Sequence, residues 1–470
     1  MQQPHKFHQS ILREYDMRGI VGDTLGEADA RAIGLSFGTT LIRGGGKTIV
    51  TGYDGRVSSP ALHDALVDGL RRAGCDVTSV GIGPTPMIHF ASHHLNADAD
   101  LMVTGSHNPA AYNGFKFSLY HKPFYGDQII ALGAQAAKAD WIDGPLGAHK
   151  VVDVREAYVD RLMKDYTGTR ALNVVWDAGN GAAADVLNML VKRLPGKHTV
   201  LFGDIDGTFP NHHPDPTVDK NLEALRARVN ATQADLGIAF DGDGDRIGSV
   251  DEKAGIIRSD MLLALYASEV IKNQPGATII GDVKCSGAMF AEIQRLGGNP
   301  VMWKTGHSLI KAKMAETKAP LAGELSGHIF FADKYYGYDD ALYCAVRLLN
   351  IVGNGDKTLS GHLAHLPTLL GTPEIRIDVA DDKKFGVVDR MKASLAKMFD
   401  GEGYMLSDID GIRLDGPAGT GWILVRPSNT QPALVARIEG QTPETLDLLQ
   451  KRLESALQAE GLDLPIENNH

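Results

Sequence analysis

Asp241, Asp243 and Asp245 alternate with glycines directly after the apolar run LGIAF. Glycine lets the backbone curl so that three carboxylates can converge on one hard cation; without a cation they would repel one another. A helix–loop–helix calcium loop would put Glu252 at its twelfth position. Its sixth position needs glycine and here is Arg246, and the flanks read as strands rather than helices. Three carboxylates leave the rest of an octahedral shell open to a phosphate oxygen, which suits Mg²⁺ better than a purely structural acidic turn.

A second cluster is TGSHNPAAYNGFKF, residues 104–117. Ser106 follows the strand ADLMV and stands between Gly105 and His107. Asn108-Pro109 and Asn113-Gly114 are turn formers that hold the loop in one shape. His107 and Lys116 bring positive charge beside the hydroxyl, which would suit a serine that carries phosphate; a surface turn whose serine caps a helix fits equally well. In GELSGHIFF, Glu324 and Ser326 alternate on a segment that reads as extended, so both would face one side and could grip adjacent hydroxyls of a sugar. His328 follows at the same period, and a solvated edge strand is the competing reading. In RPSNTQP, Arg426, Ser428, Asn429 and Thr430 offer a forked cation, two hydroxyls and an amide between Pro427 and Pro432, a plausible phosphate nest or an ordinary capped turn. Arg18, Lys284 and His307 suit an anion-binding cleft but also ordinary solvated surface.

The elements that must position these groups are legible as periodicities. KTIVTGYDGR, ADLMVTGSHN, ALNVVWDAGNG, ADLGIAFDGDGD and GATIIGDVKCSG each read as a strand running into a Gly-containing loop. Segments such as SSPALHDALVDGLRRAGC carry apolar residues at helical spacing. Alternating strands and helices predict α/β layers with ligands at the carboxyl ends of the strands. The tail differs: EIRIDV, GIRLDG, GWILVRPS and ALVARIEG read as four strands with two helices, a smaller α+β domain. The boundaries expected are 1–150, 151–255, 256–370 and 371–470. A chain of 470 residues is too long for one core. Its 47 Lys and Arg against 58 Asp and Glu give a net charge of -11, which disfavours nucleic-acid and membrane-surface binding. Cys75, Cys285 and Cys344 are isolated, and the N-terminal segment is polar without an apolar signal core. A cytoplasmic protein without disulfides is expected.

Taken together and in this order, YDMRG, TGSHNP, DGDGDR, GELSGH and RPSNT resemble the α-D-phosphohexomutase superfamily, most closely its bacterial phosphomannomutase/phosphoglucomutase group, over nearly the whole chain. The resemblance implies three related α/β domains with mixed sheets and a smaller α+β domain around a central cleft. It implies an isomerase that moves phosphate between O1 and O6 of mannose or glucose, through a phosphoserine at Ser106 and a hexose 1,6-bisphosphate. Ser106 and the three aspartates would hold Mg²⁺, with glucose 1,6-bisphosphate or mannose 1,6-bisphosphate as activator. Glu324 and Ser326 would hold the sugar O3 and O4. Arg426, Ser428, Asn429 and Thr430 would hold the non-reacting phosphate. Tyr15, Arg18, His107, Lys116, Arg246, Lys284, His307 and His328 match positions that touch substrate or assist proton transfer. Leu325 stands where this group more often has Met, a volume-conserving change. The loop lacks the Gln that marks glucosamine-specific relatives. A sugar-phosphate phosphatase using the same serine is the rival activity, and a monomer or weak dimer is expected.

Overall fold

The computed structural model describes residues 3–142, 144–367, 369–428 and 432–465. The chain divides into two compact bodies, Met1–Leu262 with Ser326–His362, and Leu263–Leu325 with Leu363–His470.

The first body holds two mixed sheets. One has the order Met17–Ile20, Tyr112–Leu119, Ala99–Val103, Thr48–Tyr53, Asp76–Ile82, His149–Val151, with Lys122–Pro123 extending Tyr112–Leu119. Its three central neighbours, Ala99–Val103, Thr48–Tyr53 and Asp76–Ile82, run parallel, whereas Tyr112–Leu119 returns antiparallel and sets Met102 opposite Lys116. Ala99–Val103 is buried at every position, as expected of a strand covered on both faces, and this is why ADLMV is apolar except at Asp100, whose Oδ1 lies 2.8 Å from His89 Nδ1. Helix Ser59–Arg72 has Pro60 in its first turn and Arg71 and Arg72 in its last, matching the helix dipole. It buries Leu62, Leu66 and Leu70 one turn apart. Its Gly69 lies against helix Glu27–Arg43, where a Cβ would sit 2.2 Å from the Arg31 carbonyl oxygen, so the two backbones meet without intervening side chains.

The second sheet has the order Ile256–Ile257, Ile247–Asp251, Leu236–Phe240, Leu172–Asp177, Gly196–Leu201. Leu236–Phe240 is parallel to Leu172–Asp177 and antiparallel to Ile247–Asp251. The Asp-Gly loop therefore joins two adjacent strands at the carboxyl end of the first.

In the second body, Thr278–Asp282 pairs in parallel with Asn299–Trp303 and Leu321–Gly323. The C-terminal sheet is antiparallel, with Ala433–Gly440 flanked by Gly421–Pro427 and Ile375–Asp378. Helices Lys384–Met398 and Pro443–Gln458 pack on it, and their Met391, Leu395, Leu449 and Leu453 join its core. Ile375–Asp378 alternates buried and exposed positions, the period-two signature of a strand with one solvated face. Among the described residues no helix is long and apolar enough to cross a membrane. Cys75, Cys285 and Cys344 are buried thiols rather than half-cystines.

Candidate active site

The strand Ala99–Val103 runs into Thr104, and the chain turns sharply over residues 105–108. Ser106 has φ 49°, in the left-handed region that costs a non-glycine residue about 1–2 kcal/mol. Its amide donates to Thr104 Oγ1 at 2.8 Å, and its hydroxyl donates to Asp241 Oδ2 at 3.1 Å. His107 Nδ1 lies 3.2 Å from the same Oγ. Gly242 makes the meeting of the two loops possible, because a Cβ there would stand 2.4 Å from the Ser106 carbonyl oxygen.

Asp241, Asp243 and Asp245 are all buried, with ligand atoms within 4.8 Å of one another. Lys116 enters from Tyr112–Leu119 and donates to Asp243 Oδ2 at 2.8 Å and Asp245 Oδ2 at 2.5 Å. Thr85 donates to Asp243 Oδ2, also at 2.5 Å. The amides of Asp245 and Arg246 donate to Asp241 Oδ1 at 3.0 and 3.1 Å. Oδ1 of Asp243 and Oδ1 of Asp245 are buried and have no hydrogen-bond partner among the described residues. Two orphaned carboxylate oxygens in a converging trio fit a hard divalent cation, and this cluster can hold a metal ion. The electrostatics agree. Burial, then Asp245 and Asp243, push the Asp241 carboxyl well above its ordinary range, a strain that a bound cation would reverse. Burial also opposes the Asp243 carboxylate, but Lys116 outweighs it and holds that carboxyl low. The Lys116 ammonium would be lowered by burial, yet Asp243, Asp245 and Asp241 keep it well above its usual value.

Around this cluster, Arg18 donates to Asn108 Oδ1 at 2.6 Å and pairs with Asp16 at 2.5 Å. Tyr15 is half-buried two residues before the strand that carries Arg18. Arg246 Nε donates to His328 Nε2 at 3.0 Å, and His328 Nδ1 lies 3.0 Å from Asp339 Oδ2 and 3.7 Å from Asp245 Oδ1. Burial, followed by the Arg246 and Arg18 charges, depresses the His107 imidazole well below its ordinary range and keeps it neutral.

The reading of GELSGH as an extended segment is corrected here. Leu321–Gly323 ends before Glu324, residues 325–327 form a turn with Gly327 at φ 94°, and Ile329–Phe331 begins a new strand. A period of two has no meaning across that turn. His328 joins the aspartate cluster of the first body, while Glu324 belongs to the second. Ser326, half-buried in the turn, falls in the first body.

In the second body a further group of the expected residues is tied together. The Gly306 amide donates to Glu324 Oε1 at 2.5 Å, which seats the start of helix His307–Thr317. Asp410 accepts from the Thr305 amide at 3.0 Å and from Arg426 Nε at 2.8 Å, so Arg426 and the His307 loop share one anchor. Lys284 Nζ pairs with Glu374 Oε2 at 3.0 Å. Burial would lower its ammonium, and Glu374 and Asp282 raise it instead. Ser428 is held through its carbonyl, which accepts from Lys384 Nζ at 2.6 Å. Asn429 and Thr430 lie outside the described residues.

Thr85, Asp339 and Arg56 were not singled out by type and spacing. Thr85 follows Gly-Pro in GPTPM and looks like a turn residue. Asp339 looks like part of an N-terminal helix cap. Arg56 closes the YDGR loop at the end of a strand, and that position was the available signal.

Three α/β layers and an antiparallel tail, with a serine hydroxyl turned onto a metal-type aspartate trio, define a phosphoryl-transfer enzyme. The chain matches the phosphoglucomutase/phosphomannomutase alpha/beta/alpha domain I at residues 9–139, domain II at 156–255, domain III at 258–369 and the C-terminal domain at 374–456. It is 43% identical over 457 residues to a phosphomannomutase/phosphoglucomutase of Pseudomonas aeruginosa, covering 97% of both chains. It is 39% identical over 456 residues to a phosphoglucomutase of Neisseria gonorrhoeae, covering 96% of this chain and 97% of the other. A crystal structure of a phosphoglucomutase/phosphomannomutase family protein from Burkholderia thailandensis superposes with TM-score 0.92 at 43% identity, over 98% of this chain and all of that one. The chain belongs to the phosphoglucomutase/phosphomannomutase family and is a hexose-phosphate mutase, an enzyme of the isomerase class.

Proposed function

We propose that the enzyme interconverts the 1- and 6-phosphates of glucose and of mannose, with Ser106 as phosphoryl carrier. The observation that supports it most is the Ser106 hydroxyl 3.1 Å from Asp241, at the edge of a buried trio offset by Lys116. Phosphoryl transfer needs positioning and charge neutralisation more than covalent help, and this cluster has the parts for both.

In the proposed cycle, phosphorylated Ser106 gives its phosphoryl group to the free hydroxyl of a hexose monophosphate. The Oγ–P bond breaks and a sugar O–P bond forms. The resulting 1,6-bisphosphate turns over and returns its other phosphate to the serine. Lys116, kept as an ammonium, offsets charge beside the carrier. His107, kept neutral and 3.2 Å from Oγ, is placed to exchange a proton with it, and His328 is the corresponding group toward the sugar hydroxyl. When bound at the three aspartates, Mg²⁺ supplies Lewis-acid neutralisation of phosphate charge. Glu324 and Ser326 are proposed to hold sugar hydroxyls. Arg426, Ser428, Asn429 and Thr430 are proposed to hold the phosphate that is not reacting, with Tyr15, Arg18, Arg246, Lys284 and His307 as further substrate contacts. We assign the carrier to a domain at 1–150, the metal loop to 151–255, sugar recognition to 256–370 and the phosphate loop to 371–470. A cytoplasmic location and activation by a trace of hexose 1,6-bisphosphate belong to the same reading.

Mannose and glucose differ only at C2, and none of the proposed contacts reads C2, so both sugars are expected as substrates. A coupled assay with mannose 1-phosphate and glucose 1-phosphate, Mg²⁺ and a trace of glucose 1,6-bisphosphate tests this. Formation of both 6-phosphates supports the reading. Steady release of inorganic phosphate without them would instead make the protein a phosphatase.

A further inference from the structure

Arg56 lies at the end of the strand Thr48–Tyr53 and is almost wholly buried, at 1% exposure. Its guanidinium is surrounded by carbonyl oxygens of one short loop. Nη2 donates to Ser106 O at 2.7 Å and Asn108 O at 2.6 Å, and Nη1 donates to Pro109 O at 2.7 Å and Tyr112 O at 3.1 Å. Nε donates to Asp54 Oδ2 at 3.1 Å. Asp54 handles the loop's donors in turn, accepting from Thr104 Oγ1 at 2.8 Å and from the Gly105 amide at 3.0 Å. Phe209 closes the far side, its ring centroid 5.1 Å from the guanidinium carbon. Gly105 is required by this packing, since a Cβ there would lie 2.4 Å from Arg56 Nε.

A peptide loop has no intrinsic reason to aim several carbonyls at one point, because their dipoles repel. A planar cation with donors in a fixed fork resolves that conflict, and an ammonium cannot reproduce the fork. The Ser106 carbonyl is among those held, on a residue whose φ of 49° is unfavourable without support. Asn108, whose carbonyl is also held, is the residue whose side chain accepts from Arg18.

We propose that Arg56 is the positioning residue of the phosphoryl carrier: by gathering the carbonyls of residues 106–112 it keeps Ser106 in the left-handed conformation that turns Oγ onto the aspartate trio. Asp54 orients Arg56 and completes the loop's hydrogen bonding. All three guanidinium nitrogens of Arg56 are engaged by Asp54 or by carbonyls of the loop, so its effect is on rate through the carrier's placement. The inference rests on Ser106 being the carrier.

The test uses full-length R56K, R56A and S106A alongside wild type. The initial rate of Ser106 phosphorylation by glucose 1,6-bisphosphate is read by intact mass, together with kcat, KM and thermal unfolding. R56K should unfold below the wild-type temperature but remain folded at the assay temperature, keep KM within a few-fold, and lose about 100-fold in kcat and in the phosphorylation rate, the scale of a 1 Å misplacement. Methylguanidinium should restore part of the rate of R56A and do nothing for R56K. Wild-type kcat in R56K, or a loss in both variants that matches their unfolded fraction and resists methylguanidinium, overturns the proposal. A wild-type enzyme that takes no phosphate at Ser106, or an active S106A, overturns the carrier assignment instead, so the two failures are distinguishable.

Discussion

Replacing Lys116 by methionine removes one positive charge from the aspartate cluster and keeps an unbranched side chain of similar reach. Lys116 is 7% exposed, and its Nζ stands 2.8 Å from Asp243 Oδ2 and 2.5 Å from Asp245 Oδ2. Removing one partner of a buried ion pair costs about 3–5 kcal/mol, because the other charge is left buried and uncompensated. Here Asp243 and Asp245 both lose their cation. The cost stays in that range because a stranded carboxylate takes up a proton rather than remain charged in a dry site. At about 2–4 °C per kcal/mol for a domain of this size, K116M should unfold roughly 6–20 °C below wild type at pH 7 in EDTA. Calorimetry of wild type, K116M, D243N and D243N/K116M separates the pair from its surroundings. The double variant should recover at least half of the K116M loss, since it removes charge of both signs. Mg²⁺ should raise the unfolding temperature of K116M more than that of wild type, because the cation replaces the missing ammonium. A K116M loss below about 1 kcal/mol in EDTA, with a strictly additive double variant, would refute the view that Lys116 offsets this trio.

Three further outcomes are expected. Ser106→Ala should abolish mutase turnover while leaving hexose-phosphate affinity largely intact by calorimetric titration; near wild-type turnover would remove Ser106 from the mechanism. Arg426→Ala should weaken glucose 1-phosphate binding by about 1.5–3 kcal/mol, the usual range for a hydrogen bond to a charged group, and an unchanged affinity would count against its phosphate role. His63 is 4% exposed and lies 2.9 Å from Thr51 Oγ1, and burial lowers its imidazole to about 4. The folded state therefore keeps it neutral while the unfolded chain protonates near 6.5, so its stabilisation is present above pH 6.5 and is lost as the pH falls toward 4. The span is on the order of 3 kcal/mol, and urea titrations of wild type and H63Q should converge in pH dependence only if His63 is not responsible.

Much of this architecture is written locally. LGIAF is continuously apolar, and ADLMV is so except for Asp100, because sheets covered on both faces have no polar side to show; IRID alternates because the tail's sheet has one. The Asp-Gly-Asp-Gly-Asp loop is equally local: chemistry and flexibility sit within five residues, so its capacity for a metal could be read without a fold. GELSGH was misread because alternation assumes an extended backbone, and Gly327 at φ 94° breaks it.

Other features could be decided only by the folded chain. Lys116 meets Asp243 and Asp245 because Tyr112–Leu119 returns antiparallel along Ala99–Val103, a register set by pairing across the sheet. The role inferred for Arg56 was invisible for the same reason: its partners are carbonyl oxygens 50 to 56 residues away, and every residue has a carbonyl, so no side-chain pattern marks them. Residue types and local periodicity determine which chemistry is available and which elements can form. The distances at which charges and donors act are properties of packing between segments remote in sequence, and those only the tertiary structure supplies.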